Sequence, residues 1–321
     1  MISLGWILRD LIRNKLSVFV FHKIPETFDP LRPNDLDLAQ FIRLLDFIQE
    51  NFLVLPLGDA LKRLSGGVLE QGCACLTFDD GYPEWMSGVL PLLEKRSLPA
   101  TFFITVGQFL GRPMWHERLA RIMKRAAGNR LDTSEYRLPP LPMASLQEKQ
   151  KSLRALEHHF KYLPPLLRDV YLASLEKQCG VSTGDVPVMT EEQLRAVSSR
   201  GFEIGSHTVD HPILGLCDTE TALNEIGGAR EILEGMLRVP VKAFAYPNGR
   251  PHVDFNHRHV EMVRQAGYDY AVTTQWGAAT AATPVHQMPR FTPWGPDTTH
   301  VHLQVIRNLL ARPEYLDEER R

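Results

Sequence analysis

The sequence predicts an α/β fold built on buried parallel strands, and three observations predict it. Residues 73–78 read Cys-Ala-Cys-Leu-Thr-Phe, an apolar run of strand length with no polar alternation, as a strand covered on both faces requires. The run ends in Asp79, Asp80 and Gly81, and parallel α/β folds keep their reactive groups at the carboxyl ends of such strands. Segments of strand character alternate with segments of helical spacing on both sides of a stretch rich in Leu, Lys, Arg and Glu, from 112 to about 185. An Asp-Asp-Gly alone reads better as a turn with a helix cap, so residues far downstream decide its meaning.

At 321 residues the chain can bury a sizeable core, as one large α/β domain or two smaller ones. Its 44% hydrophobic and 23% charged residues are those of an ordinary soluble globular protein. A net charge of -2 gives no bulk attraction to nucleic acid or anionic lipid, so any partner must be argued from a site. The cysteines, Cys73, Cys75, Cys179 and Cys217, form no Cys-x-x-Cys pair; Cys73 and Cys75 share a strand face and read as small core residues, a pattern suited to a reducing compartment.

Residues 1–14 have neither the apolar core nor the cleavage site of a secretory leader, and no run approaches the roughly 20 apolar residues that span a bilayer. On a helix, Ile2, Trp6, Ile7 and Leu11 would share a face that docks on the body of the protein or lies on a membrane surface. The expected location is cytoplasmic, at most peripheral at the inner membrane.

In chain order, residues 17–24 have the β-branched and aromatic character of a first core strand, with His22 near its end. Residues 36–52 place Leu38, Phe41, Leu44, Leu45 and Ile48 at helical spacing, and the strand to Phe78 completes a βαβ unit. Residues 82–96 read as a helix with Pro83 in its first turn, and 100–106 as the next parallel strand. The 112–185 stretch is broken at Pro139, Pro140 and Pro142 and again at Pro164 and Pro165. It reads as a helical insertion on one loop, without recognisable chemistry of its own. Its adjacent His158 and His159 would point about 100° apart on a helix and make poor co-ligands.

The rhythm then resumes. Thr190 and Gln193 form a capping box, and Gly201 closes that helix. Strands are expected at 202–206, 241–246 and 270–274, helices at 219–237 and 256–266, and a last amphipathic helix at 301–310 before a charged tail, 314–321.

His207 and His211 follow the 202–206 strand four residues apart, a spacing that lets both imidazoles face one point on a helical turn. With the acids they make a metal site. Two neutral nitrogens and one carboxylate oxygen give three ligands and a vacant position, the form of a catalytic zinc site, whereas a structural site is closed by four protein ligands. The other carboxylate can take a proton from a water at the metal. Asp79 and Asp80 therefore divide into one base and one ligand.

Thr77-Phe78-Asp79-Asp80-Gly81, then Ser206-His207-Thr208 with His211-Pro212, then Phe244-Ala245-Tyr246-Pro247-Asn248-Gly249 and a late Met288-Pro289-Arg290 together resemble the polysaccharide deacetylase family. This family is also called the NodB-homology or carbohydrate esterase family four domain, and the resemblance runs from about Gly72 to about Trp294, omitting the insertion. It implies an irregular (β/α) barrel carrying the helical insertion. It implies Asp79 as catalytic base, with Asp80, His207 and His211 holding a divalent metal, usually zinc and sometimes cobalt or nickel. The implied reaction is hydrolysis of an N-acetyl group from an amino sugar in a polysaccharide, an oligosaccharide or a lipid-linked glycan. The oxyanion would be met by the metal and by a backbone N–H of the Tyr246-Pro247-Asn248-Gly249 motif. The form of that motif and the Pro-Arg ending resemble the branch associated with capsule and exopolysaccharide synthesis in bacteria.

The chain also departs from the family pattern. Many members carry Arg-Pro-Pro-Tyr-Gly as the third motif, its arginine on the catalytic aspartate. That arginine is absent here, and Arg290 is the candidate to hold Asp79 ionised; its plainer reading is a surface ion pair. An amine leaving group needs an acid, and no Leu-x-His motif is clear. Among His22, His286, His300 and His302, His22 is preferred because it ends a core strand, where a hydrogen-bonded core histidine is the alternative. Trp115, Trp276 and Trp294 are candidate stacking surfaces for sugar rings, Trp294 first, with Tyr246, Pro247 and Asn248 as further substrate contacts.

The expected division is 1–71 for the N-terminal helix and first βα unit, 72–294 for the catalytic domain with its insertion, and 295–321 for the last helix and tail. Two other functions stay open. One is hydrolysis of another C–N amide bond, in a cyclic imide or ureide; the other is a catalytically silent glycan-binding module, against which the intact Asp79, Asp80, His207 and His211 set weighs.

Overall fold

The computed structural model describes residues 11–69, 72–293 and 298–316. The shared face of Ile2, Trp6 and Ile7, the Trp294 contact and the end of the charged tail lie outside these residues.

The strands are β1 (Leu16–Phe21), β2 (Leu53–Val54), β3 (Cys73–Asp80), β4 (Thr101–Ile104), β5 (Arg130–Leu131), β6 (Leu141–Pro142), β7 (Glu203–Ser206), β8 (Ala243–Ala245) and β9 (Tyr270–Val272). The main sheet runs β1-β3-β4-β7-β8-β9, with β2 alongside β3, and every pairing is parallel. Between β9 and β1 the ring is completed by single bridges, Val272 with Met288 and Phe291 with Phe19. The Thr273 N–H donates to the Met288 carbonyl at 2.8 Å, and the Val20 N–H to Phe291 at 3.1 Å. The expected irregular (β/α) barrel is therefore present, closed by an irregular segment, 288–291, that carries Arg290.

Side-chain alternation along the strands separates two cores. Leu16, Val18, Cys73, Cys75, Phe103, Ala243, Ala245 and Val272 fill the barrel interior. Phe19, Phe21, Leu76, Phe78, Phe102, Ile204 and Phe244 face the outer helices, where Phe41, Leu44, Leu45 and Ile48 of the helix Leu38–Asn51 meet them. Each such side chain contributes about 1.5–3 kcal/mol by leaving water. The interior is tight: a Cβ on Gly205 would lie 2.4 Å from the Phe103 ring. By the same alternation Thr77 and Asp79 continue the inward face of Cys73 and Cys75, which places Asp79 on top of the interior stack.

Several elements differ from expectation. β1 stops at Phe21, leaving His22 beyond it. A helix, Leu57–Ser65, packs between β2 and β3 where none was anticipated. The single helix expected over 82–96 is a 3₁₀ turn, Pro83–Met86, followed by a helix, Val89–Lys95. The tighter turn packs Trp85 against the stacked Phe78 and Phe102 rings, and its indole N–H donates to the His22 carbonyl at 3.0 Å. The helix over 219–237 contains a π-helical turn, Asn224–Gly228.

The insertion has its own small core. Helices Trp115–Arg125, Leu146–Lys161 and Pro165–Cys179 pack through Leu119, Ile122, Leu153, Leu156, Phe160 and Leu172, beside the two-stranded β5/β6 ribbon. No helix among the described residues is long and apolar enough to cross a membrane.

Candidate active site

Arg290 reaches from the closing segment across the top of the barrel to Asp79. Its Nη1 and Nη2 donate to the two Asp79 carboxylate oxygens at 2.7 Å each. Nη1 also donates to the Thr77 hydroxyl at 3.0 Å and Nε to the Thr273 carbonyl at 2.9 Å. The guanidinium lies over the Phe103 ring, 5.3 Å from its centroid, and is 0% exposed. The surface ion pair that was the plainer reading of Arg290 is thereby excluded. Burial works to raise the Asp79 pKa, but the Arg290 charge and hydrogen bonds, with His207, outweigh it and hold the carboxyl below its ordinary value.

Asp80 is turned differently. It adopts φ 85° and Gly81 φ 94°, left-handed values that reverse the chain at the strand end. Gln108 Nε2 pins this turn by donating to the Asp80 carbonyl at 2.9 Å, and a Cβ on Gly81 would stand 2.2 Å from that nitrogen. The Asp80 Oδ1 lies 3.6 Å from His207 Nε2 and 3.7 Å from His211 Nε2. His207 Nδ1 is 2.8 Å from the Ala245 carbonyl, which fixes that nitrogen as the N–H and leaves the Nε2 lone pair toward Asp80.

The two histidines do not share a helical turn, as their spacing suggested. They sit on an irregular loop in which Thr208 (φ 65°) and His211 (φ 53°) are left-handed, and those two reversals swing His211 back to His207. Burial first, then the neighbouring imidazoles and the Arg168 charge, depresses the His211 pKa and keeps its imidazole neutral. Asp80 Oδ1 and His211 Nδ1 are buried without a hydrogen-bond partner. Asp80, His207 and His211 form a cluster fit for a metal ion, their candidate ligand atoms within 4.8 Å of one another. A carboxylate oxygen left bare beside two imidazole nitrogens is a donor set that suits a divalent cation.

The histidine loop is held from behind by Glu225, a residue that no motif in the sequence marks. Its carboxylate accepts the N–H groups of Val209 and Asp210 at 2.8 and 2.9 Å. Burial pushes its pKa up to about 7, while the two donors favour the charged form. Glu225 lies in the π turn, a feature that often marks functional positions in helices. Removing this outer support should let His211 swing. Glu225→Ala is expected to weaken metal affinity about 10–100-fold, measured by competition with a chromogenic chelator, and an unchanged affinity would remove this role.

The site opens into a cleft of about 780 Å³ that holds His22, Asp79, Asp80, His207, His211 and Asn248. His22 is exposed there, so it is not a core histidine. Of the other substrate contacts expected, Tyr246 is fully buried and stacked on Phe255 at 3.9 Å, and Pro247 is buried and outside the cleft lining. Trp115 lines the cleft, whereas Trp276 packs on Phe291 and Arg307. His286 bonds the Tyr268 carbonyl and His302 packs on Phe47, both outside the cleft lining.

The insertion, read as free of chemistry, supplies much of the cleft wall. Its His116 lies 2.8 Å from the Tyr82 hydroxyl and 3.8 Å from Asp80 Oδ2. Burial lowers its pKa to about 4, against the pull of Asp80 and Glu117, so it is neutral near pH 7. Nothing in the local sequence beyond the neighbouring Trp115 marked it.

Comparison with known proteins agrees with this geometry. The polysaccharide deacetylase family model matches residues 66–168 and 172–271. YxkH of Bacillus subtilis, which carries a polysaccharide deacetylase name, is 28% identical over 116 residues, 36% of this chain and 40% of its own, so the chain spans about two-fifths of that relative. The fold is similar to a Streptococcus pyogenes deacetylase, PplD, solved with acetate (TM-score 0.61, 17% identity, 92% of this chain and 99% of that one). It is also similar to IcaB from Ammonifex degensii (TM-score 0.57, 17% identity, 93% and 98%). The motifs at the strand ends, the barrel that presents them and a family match covering more than half of the sequence lead to one statement: this chain belongs to the polysaccharide deacetylase family.

Proposed function

We propose that this protein is a zinc-dependent hydrolase that removes the N-acetyl group from an amino sugar within a glycan. The observation that carries the reading is the contrast between two adjacent carboxylates. Both oxygens of Asp79 are held by Arg290, while Asp80 Oδ1 is buried, unpartnered and faces two histidine nitrogens. The first arrangement suits an ionised base and the second a metal ligand.

Asp80, His207 and His211 would hold the metal, which when bound acidifies a water and polarises the acetamide carbonyl. Asp79, held ionised and fixed in direction, accepts the proton of the attacking water as its oxygen bonds the carbonyl carbon. The C–N bond then breaks, His22 at the cleft rim protonates the leaving amine, and acetate departs. His116 stands near the second oxygen of Asp80, at 3.8 Å, and is itself held at 2.8 Å by the Tyr82 hydroxyl. PplD was solved with acetate, the product this reaction predicts, which supports the reading by likeness of fold alone.

The test is acetate release from N-acetylglucosamine oligomers by chelator-stripped protein before and after return of zinc or cobalt. Release only with metal is expected. Equal release without metal, or none with it on oligomer and polymer alike, would remove the reading.

A further inference from the structure

Four lysine or arginine side chains line the cleft, and they fall into two pairs. Lys23 and Arg32 are neutralised. Lys23 Nζ lies 2.7 Å from Glu117 and 3.5 Å from Glu84, while Arg32 bonds Glu117 and lies 3.2 Å from Glu157. Arg154 and Lys161 belong to the insertion helix Leu146–Lys161, with His158 between them, at positions i, i+4 and i+7, so all three share one helix face.

Among the described residues neither Arg154 nor Lys161 makes an ion pair. The acid on their face, Glu157, is taken by Arg32, and nearby Asp254 is taken by Arg250 at 3.0 Å. Arg154 and His158 stay exposed although they line the cleft. The end of this helix is tied to the loop carrying Asn248, because the Tyr162 hydroxyl accepts from Arg250 Nη2 at 2.6 Å. The basic face is thus held in fixed relation to the catalytic residues.

A neutral sugar entering here would desolvate two cations and return only hydroxyl contacts, which is unfavourable. An oxyanion would answer them with charge-assisted hydrogen bonds, and a guanidinium suits carboxylate or phosphate oxygens in particular. We propose that Arg154, His158 and Lys161 form a subsite for an oxyanion on the glycan, so that the substrate is an N-acetylated amino sugar within an anionic glycan. This rests on the deacetylase reading and narrows its substrate class. The oxyanion has two chemical sources, a uronate carboxylate or a sugar phosphate, and the experiment separates them.

The full zinc-loaded chain carrying Asp79→Asn, which prevents turnover, is titrated calorimetrically with a neutral N-acetylglucosamine tetramer and with a tetramer alternating N-acetylglucosamine and glucuronate. N-acetylglucosamine 1-phosphate is titrated against its neutral methyl glycoside. At least one anionic probe is expected to bind about tenfold tighter than its neutral partner, with a preference that shrinks as salt rises from about 0.05 to 0.5 M. The preference should vanish when Arg154→Ala and Lys161→Ala are combined, with the circular dichroism spectrum retained. The glucuronate and phosphate arms assign the source.

Equal affinities across charge, or a preference that survives the double substitution, would overturn the subsite. So would a double variant that loses only binding to phosphatidylglycerol vesicles, which would assign the basic face to a membrane. Acetate release by the unsubstituted enzyme is scored separately. Release from neutral oligomers without charge preference removes the subsite alone, and charge-selective binding without release from any glycan removes the deacetylase reading alone.

Discussion

Replacing Arg290 with alanine is expected to destabilise the fold by about 3–5 kcal/mol and to move the acidic limb of the kcat/KM profile to higher pH. The stability loss follows from geometry: Asp79 would remain buried with neither of its two 2.7 Å donors. The pH effect follows from opposed terms. Burial favours the protonated acid, and Arg290, with His207 assisting, overcomes it so that the Asp79 pKa is lowered. A carboxyl with a depressed folded pKa contributes stability above its unfolded value and loses it as pH falls through the folded value, here below about pH 4. Without Arg290 the desolvation stands nearly alone and the Asp79 pKa rises.

The limb therefore moves up. The stability deficit should also narrow in acid, because protonated Asp79 is no longer an uncompensated charge. Arg290→Lys should recover part of both effects, since it restores the charge and not the two-pronged contact. Denaturant titrations near pH 7 and pH 5, with a kcat/KM profile for each variant, measure this. Full destabilisation with an unshifted limb would make Arg290 a packing residue only.

The second large effect belongs to the histidines. His207→Ala should abolish tight metal binding and lower kcat/KM by about 10³-fold or more, the scale of several kcal/mol of lost electrostatic stabilisation. His207 is buried and joins two parts of the site. Its Nδ1 is 2.8 Å from Ala245, and its Nε2 lies 3.6 Å from Asp80 Oδ1. His211→Ala should act similarly on the metal while leaving the Ala245 contact intact. Elemental analysis after dialysis, with acetate release alongside, reads both outcomes. Retention of one tightly bound metal in both variants would show that the ion sits elsewhere.

Much of this site could be read without coordinates because its chemistry is carried by strand ends. Asp79 and Asp80 close a continuous apolar run, and His207 follows another short strand, so parallel strands deliver them to one rim. Arg290 was accessible as a lone charge in Met288-Pro289-Arg290, but its reach to Asp79 depends on the bridges that close the barrel. Local periodicity carries no such information.

The path of the histidine loop is hidden in the sequence for a related reason. A four-residue spacing implies a helical turn, yet the left-handed Thr208 and His211 bring the rings together by another route. Glu225 lay hidden inside a regular-looking helix, and the paired Gly227 and Gly228 were the one hint of its π turn. The insertion gave composition and helical spacing, but only packing against the barrel turns His116, Arg154 and Lys161 toward the cleft. Tyr246 failed in the opposite direction, since a motif residue proved to be packing against Phe255.

The proposed reaction rests on a division of labour between two neighbouring acids, and one variant tests it. Asp79→Asn should bind one zinc per chain with affinity within about threefold of the unsubstituted protein, while acetate release from N-acetylglucosamine oligomers falls by about 10²–10⁴-fold. Zinc affinity and acetate release, measured on the same preparation, should part company in this way. An Asp79→Asn protein that loses its zinc, or that keeps zinc and still releases acetate at the original rate, would contradict the assignment of Asp79 as base and Asp80 as ligand.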